Sequence, residues 1–235
     1  MNDIRINKYL SSRGVCSRRE ADRLIDGGRI TVNGEVATLG IMVSDDDDVR
    51  LDGHRIVGGD EPVVLAFNKP EGIVCTSARD EKNNIIDYIN YPTRIYPIGR
   101  LDKESSGLIL LTNRGEIVNG ILKAKNYHEK EYIVTLNKPY STDFLKNMRR
   151  GVYLNELDVT TRPAQVQTID DKTFSIILTQ GLNRQIRRMC SELGYRVVKL
   201  KRIRIMNIML GDLPKGKYRT VQGEELEQLI SDIEV

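Results

Sequence analysis

The sequence predicts an α+β protein in two parts: a small N-terminal module, then a larger domain built on a mixed or antiparallel sheet. Two observations predict it. From Val63 onward, Val- and Ile-rich runs alternate with helical patterns but lack the regular spacing of βαβ units. Before them the chain reads helix, helix, hairpin, and turn-forming and charged residues then cluster at Val57-Gly58-Gly59-Asp60-Glu61-Pro62. The expected division is residues 1–58, a linker at 59–62, and residues 63–235.

The elements follow in order. Ile6 and Leu10 open a short helical pattern that breaks at Gly14. Ser17 stands three residues before Glu20, a capping-box spacing, and Ala21, Leu24 and Ile25 share the face that follows. Gly27-Gly28 stops that helix, and Asn33-Gly34 marks a hairpin between Ile30-Thr31-Val32 and Glu35-Val36-Ala37. Strands are expected at Val63–Phe67, stopping before Asn68-Lys69-Pro70, and at Gly107–Thr112, Tyr132–Leu136, Phe174–Thr179 and Tyr195–Leu200. Helices are expected at Glu116–Lys123, Thr142–Arg149, Arg184–Leu193 and Glu224–Ile233.

Composition excludes several function classes. At 40% hydrophobic and 29% charged residues, the 235-residue chain reads as a folded domain rather than a disordered one. Apolar runs such as Leu108–Leu111 fall far short of the roughly 20 residues that span a bilayer. No apolar segment follows the charges at the N-terminus, so no signal peptide is expected and the cytoplasm is the predicted compartment. Three scattered cysteines (Cys16, Cys75, Cys190) provide neither a disulfide framework nor a zinc module, and a histidine-based triad or metal site would rest on His54 or His128 alone. No glycine-rich phosphate loop is present, so no nucleotide cofactor is expected.

Charge distribution says more than the net +3. Residues 5–29 carry seven basic side chains against three acidic ones, and residues 182–204 carry eight against Glu192 alone. Asp45-Asp46-Asp47-Asp48 cancels much of this in the total. Two basic clusters on a near-neutral chain suggest a polyanion partner, although the first cluster alone reads equally as a solvated helix face.

Three stretches can carry chemistry. Pro97-Ile98-Gly99-Arg100-Leu101-Asp102-Lys103-Glu104-Ser105-Ser106-Gly107 is a charge-dense loop between an X-Pro turn and a buried strand, a setting in which functional carboxylates are presented. By composition alone Asp102 reads as a solvated loop aspartate, and nothing sets the spacing that a sugar-cleaving pair with Glu104 needs. Gln180 to Cys190 places Asn183 as a plausible N-cap, with Ile186, Met189, Cys190 and Leu193 as an apolar stripe. Arg184, Arg187 and Arg188 fall on another face in the first turns, against the dipole preference, which suggests that they bind phosphate or pair with a buried carboxylate. His128-Glu129-Lys130-Glu131-Tyr132 reads by itself as a charged turn with an interfacial tyrosine.

Together these residues resemble a known family. Gly99-Arg100-Leu101-Asp102 with Gly107-Leu108, Lys130-Glu131-Tyr132, and Asn183 to Met189 resemble the RNA pseudouridine synthases of the RsuA/RluB/E/F group. Arg5 to Leu10, Cys16 to Asp22 and Val32-Asn33-Gly34 look like the S4 RNA-binding module that precedes the catalytic domain in that group. The resemblance spans nearly the whole chain. Gln180 to Cys190 and Arg204-Ile205-Met206-Asn207 look most like the F branch, which acts on large-subunit ribosomal RNA. The F enzymes continue into a long basic extension, whereas this chain ends at Val235 after a short acidic helix.

The resemblance implies isomerisation of uridine in RNA to pseudouridine, with no metal or cofactor. The N1–C1′ bond breaks, the base turns, and C5 bonds to C1′. It implies Asp102 as nucleophile or base, Arg187 as its ionic partner, and Tyr132 as the ring on which the target base stacks. It further implies Arg100 filling the space left by the flipped base or gripping the backbone, Ile186 lining the pocket, and Arg184 with Arg188 free for phosphates. Arg5, Lys8, Arg18, Arg19 and Arg23 are the expected RNA contacts of the S4 module, with salt-sensitive affinity. Large-subunit ribosomal RNA is the expected partner, a tyrosine-tRNA anticodon a second target, and the chain is expected to act as a monomer. Two other readings compete. A non-catalytic RNA-binding or ribosome-assembly protein would not need Asp102, Tyr132 and Arg187 together. An RNA-directed hydrolase would need a second carboxylate to activate water, and only Glu104, Glu129 and Glu131 are near in sequence.

Overall fold

The computed structural model describes residues 3–59, 61–76, 81–122 and 127–233. By internal contacts the chain forms two compact units: residues up to Pro62 with Pro92–Arg94 and Asn113–Gly115, and the remainder. The two short excursions into the first unit come from loops that sequence pattern assigns to the second.

The first unit contains β1 (Ile4–Arg5), α1 (Ile6–Ser12), α2 (Arg18–Asp26), β2 (Ile30–Val32), β3 (Glu35–Val36), β4 (Met42–Val43), β5 (Val49–Leu51) and β6 (His54–Arg55). Strands β3-β2-β5-β6 form one sheet and β1 pairs with β4. Ile6, Leu10, Ala21, Ile25, Ile30 and Val49 supply the core. The capping serine acts as expected, because Ser17 Oγ accepts from Glu20 N at 3.1 Å. Asn33 (φ 51°) and Gly34 (φ 89°) are both left-handed, the geometry a two-residue type I′ turn requires. The acidic run does more than offset charge: Asp45 pairs with Arg13, and Asp48 with Arg50 and Arg55. Arg5, Lys8, Arg18, Arg19 and Arg23 are the predicted RNA contacts on this unit; all five are exposed, and Arg23 pairs with Glu20.

The second unit contains β7 (Val64–Lys69), α3 (Ile85–Ile89), β8 (Tyr96–Ile98), β9 (Ser106–Thr112), α4 (Gly115–Leu122), β10 (Lys130–Leu136), α5 (Thr142–Arg150), β11 (Tyr153–Leu154), β12 (Val159–Thr160), β13 (Gln165–Thr168), β14 (Thr173–Leu178), α6 (Gln185–Glu192), β15 (Val197–Ile205), β16 (Ile208–Met209), β17 (Tyr218–Thr220) and α7 (Glu224–Ile233). Its sheet runs β13-β14-β10-β15-β9-β7-β17, with β16 beside β15 and β8 beside β9. The β15–β9 pair is parallel and the other pairs are antiparallel, so the sheet is mixed. The fold is α+β, as the sequence predicts.

Strands β7 and β9 are buried on both faces. Ala66 and Leu110 face one core and Phe67 and Ile109 another, which explains their unbroken apolar runs. This double burial also corrects the strand ends. Strand β7 continues through Asn68 and Lys69, because Asn68 Nδ2 donates to Leu213 O (2.7 Å) and Lys69 Nζ to Ser105 O (2.8 Å) and Pro70 O (2.9 Å). Strand β15 is displaced to Val197–Ile205 and carries Arg202 and Arg204 inside the sheet. The residue preceding α6 is Arg184 (φ 50°, ψ 32°), not Asn183. Asn183 instead accepts from Arg188 through both its carbonyl and its side-chain oxygen. Lys123, expected to end a helix, and Asp60, within the expected linker, lie outside the described residues. Among the described residues no helix is long and apolar enough to cross a membrane.

Candidate active site

The loop between β8 and β9 presents Asp102. Gly99 (φ 74°) turns the chain out of β8, and Leu101 then buries its side chain while its amide donates to Cys75 Sγ at 3.4 Å. Ser105 N bonds back to Asp102 O (3.0 Å) and Gly72 N to Lys103 O (2.7 Å), so the loop is held from within and by the segment after β7. The Asp102 side chain is 28% exposed, a carboxylate at the edge of burial.

Helix α6 and the residue before it supply the opposing charges. Arg184 Nη1 lies 3.7 Å and Arg187 Nε 3.6 Å from Asp102 Oδ2. Both are ion-pair contacts longer than hydrogen bonds. Arg187 is anchored by Nη2 donating to Ser105 Oγ (3.0 Å), which leaves its buried Nε without a hydrogen-bond acceptor beside the carboxylate. Arg184 Nη2 pairs with Glu104 at 2.6 Å, and that hydrogen bond holds the Glu104 carboxyl below the usual range.

Asp102, Arg100, Tyr132, Arg184, Ile186 and Cys75 line one cavity of about 940 Å³. That volume lies in the range of pockets that enclose small molecules, roughly 300–1,000 Å³. Tyr132, on β10, sits between two cores and exposes part of its ring to the cavity. Five predicted residues therefore share one cavity, with Arg187 packed behind the carboxylate.

Several expectations are corrected by the geometry. The three arginines of this segment do not share a face: Arg184 and Arg187 reach the loop of Asp102, whereas Arg188 pairs with Glu156. Neither Arg184 nor Arg188 is free for phosphate, since each is ion-paired. The basic run 182–204 is not one solvated face: Arg202 is 3% exposed, and Arg204 bonds to Glu129 (2.9 Å) and Glu131 (3.0 Å). The carboxylates that a hydrolase would need are thereby all committed to arginines: Glu129 and Glu131 to Arg204, and Glu104 to Arg184.

Sequence reasoning missed three side chains at or behind the cavity. Cys75 lines it, and burial pushes its thiol up. Lys69 is fully buried with its ammonium on backbone carbonyls, and burial pushes it down. Arg202 lies over the Tyr132 ring, 5.9 Å from its centroid, with Nε donating to Leu108 O (2.7 Å). Pattern places Lys69 past the end of its strand and counts Arg202 only as one of the basic cluster of residues 182–204. Among the described residues no group of three or more His, Cys, Asp or Glu could hold a metal ion.

Comparison with known proteins fits this arrangement. Residues 63–192 match the RNA pseudouridylate synthase family and residues 4–49 the S4 domain. The chain is 47% identical over 235 residues to the dual-specificity RNA pseudouridine synthase RluF of Escherichia coli K12, covering 99% of this chain and 80% of that protein. It is 37% identical over 233 residues to the ribosomal large subunit pseudouridine synthase B of Bacillus subtilis 168, covering 96% and 95%. A solved structure, the crystal structure of a pseudouridylate synthase, superposes with a TM-score of 0.71 at 28% identity, covering 96% of this chain and 99% of that one. With an S4 domain at its start and the family match spanning both the Asp102 loop and α6, the chain belongs to the RNA pseudouridylate synthases, enzymes that isomerise uridine in RNA to pseudouridine.

Proposed function

We propose that this chain modifies uridine in large-subunit ribosomal RNA, with tyrosine transfer RNA as a second target, and that Asp102 is its nucleophile or base. The observation that carries the assignment is the placement of the Asp102 carboxylate in the cavity wall, 3.6 Å from Arg187, with Tyr132 lining the same space. An ionised carboxylate is needed, and two guanidiniums beside it offset the cost of withdrawing it from water. Tyr132 offers a π-face to the flipped base, worth roughly 1–3 kcal/mol. Arg100, exposed at the rim, takes the position vacated in the RNA, and Ile186 packs against the base. Arg184 is held by Glu104 beside Asp102, and Arg188 holds the loop before α6. Residues 1–58 serve as the RNA-binding module and 63–235 as the catalytic domain, acting as a cytoplasmic monomer without a cofactor. The ribosomal target is supported by likeness to a large-subunit enzyme and to a dual-specificity one.

The test is tritium release from 5-tritiated uridine in large-subunit ribosomal and tyrosine-tRNA transcripts. Release that stops at about one equivalent per ribosomal transcript is expected, and no release from either substrate refutes the assignment. Binding to the ribosomal transcript should weaken with salt. Replacing Arg18 and Arg19 together by Ala should lower the slope of log K against log salt by about 1.5, given roughly 0.7–0.9 per phosphate contact. An unchanged slope removes these two side chains from the interface.

A further inference from the structure

A register irregularity in the sheet places a buried cation behind the base platform. Along β10 and β15, Glu131 faces Arg204 but Tyr132 faces Arg202, so Ile203 is passed over. Bulges of this kind re-aim side chains next to active sites. Here the bulge sets Arg202 over the Tyr132 ring. Arg202 does not line the cavity and is 3% exposed. Its Nε is satisfied by Leu108 O, but its buried Nη2 has no hydrogen-bond partner.

A second cation joins it. Lys130 Nζ donates to His128 O at 3.2 Å, and burial first, then Arg202, pushes it down to about 8. Among the described residues neither cation has a carboxylate within ion-pair distance. The acids that flank Lys130 in sequence, Glu129 and Glu131, are both held by Arg204. A buried guanidinium with a half-buried ammonium near it and no anion beside either is costly to fold around.

The chemistry at Tyr132 supplies a use for them. When the N1–C1′ bond breaks, its electron pair stays on the pyrimidine, which becomes an anion. C5 later returns a pair to C1′, the C5 proton leaves, and N1 takes up a proton, so the step needs no co-reactant. An anion stacked on a tyrosine faces the negative side of the ring quadrupole, which repels it. A cation over the same ring, within about 6 Å, offsets that repulsion.

We propose that Arg202 and Lys130 form a positive platform behind Tyr132 that favours the anionic pyrimidine over the neutral one. They are positioning residues acting through the tyrosine, and the proposal rests on the reading of Tyr132 as the base platform. The experiment uses the full chain with Arg202→Met, Arg202→Lys and Lys130→Met. Two competitors of RNA are compared: barbiturate, a pyrimidine anion at neutral pH, and uracil, its neutral counterpart. Wild type is expected to prefer barbiturate by about tenfold, and each Met variant to lose most of that preference. Single-turnover tritium release by Arg202→Met should fall about tenfold, below the 10²–10³ of a direct oxyanion donor because the charge acts through a ring. RNA affinity should stay within twofold and the melting temperature should not drop, whereas Arg202→Lys should keep most of the rate. Equal binding of the two pyrimidines by wild type overturns the platform. So does a Met variant with unchanged preference, or one whose slower release tracks a lost melting temperature that Lys restores. If wild type prefers barbiturate yet releases no tritium, the platform stands and the assigned reaction is what fails.

Discussion

Asp102→Asn is expected to abolish tritium release, lowering the rate by at least about 10³-fold, the scale on which enzymes lose activity when a nucleophile or proton-transfer group is removed. RNA binding should survive and tighten slightly. The asparagine keeps the size and planarity of the side chain but removes the negative charge that Arg184 and Arg187 now face at 3.7 and 3.6 Å. Those guanidiniums then present more net positive charge to the RNA backbone. Stability changes little, because Asp102 is 28% exposed and its carboxylate makes ion pairs but no short hydrogen bond. Asp102→Glu is expected to rescue little, since an extra methylene moves the reacting oxygen by roughly an ångström, and misplacement on that scale costs about 10²-fold. Filter binding together with tritium release checks all of this. A variant that binds as tightly as wild type and still releases tritium at a tenth of its rate or better removes Asp102 from the chemistry.

The Asp102 loop is legible because a charge-dense segment interrupts two apolar strands, a contrast that survives without any tertiary knowledge. What spacing cannot give is its partner. Arg187 lies 85 positions away in sequence, and only the parallel pairing of β9 with β15 and the packing of α6 bring it alongside. The family resemblance supplies what periodicity cannot. Lys69 and Arg202 escape a sequence reading for a different reason. Pattern treats a charged residue as a strand end or a solvated face, yet this sheet is covered on both sides, so cations within its strands are carried into the interior, where Lys69 Nζ and Arg202 Nε donate to backbone carbonyls. The N-cap of α6 fails similarly. Asn183 has the right chemistry, but Arg188 occupies its side-chain oxygen, and Arg184 takes the left-handed position instead.

Gly107 is the position at which a single methyl group should do most damage to the fold. It pairs with Arg202 across the parallel β9–β15 junction and has φ 100°, a conformation that side-chain-bearing residues rarely adopt. A Cβ there would lie 2.2 Å from Arg202 O and 2.8 Å from Arg202 N. Both atoms are backbone in a central strand, so neither can swing away as a flexible side chain would. Relief requires β9 and β15 to separate, and that breaks the sheet where it carries both Asp102, five residues upstream, and Arg202. Gly107→Ala is therefore expected to lose about 4 kcal/mol or more, the tail of the mutational distribution reserved for such steric conflicts, or to fail to accumulate as folded protein. Gly181→Ala is the control: it has no left-handed φ and nothing within 4 Å of the added carbon, so it should unfold in urea within about 1 kcal/mol of wild type. If Gly107→Ala matches that control, the two strands are free to adjust, and the close approach between them is not what fixes the loop of Asp102 against its arginines.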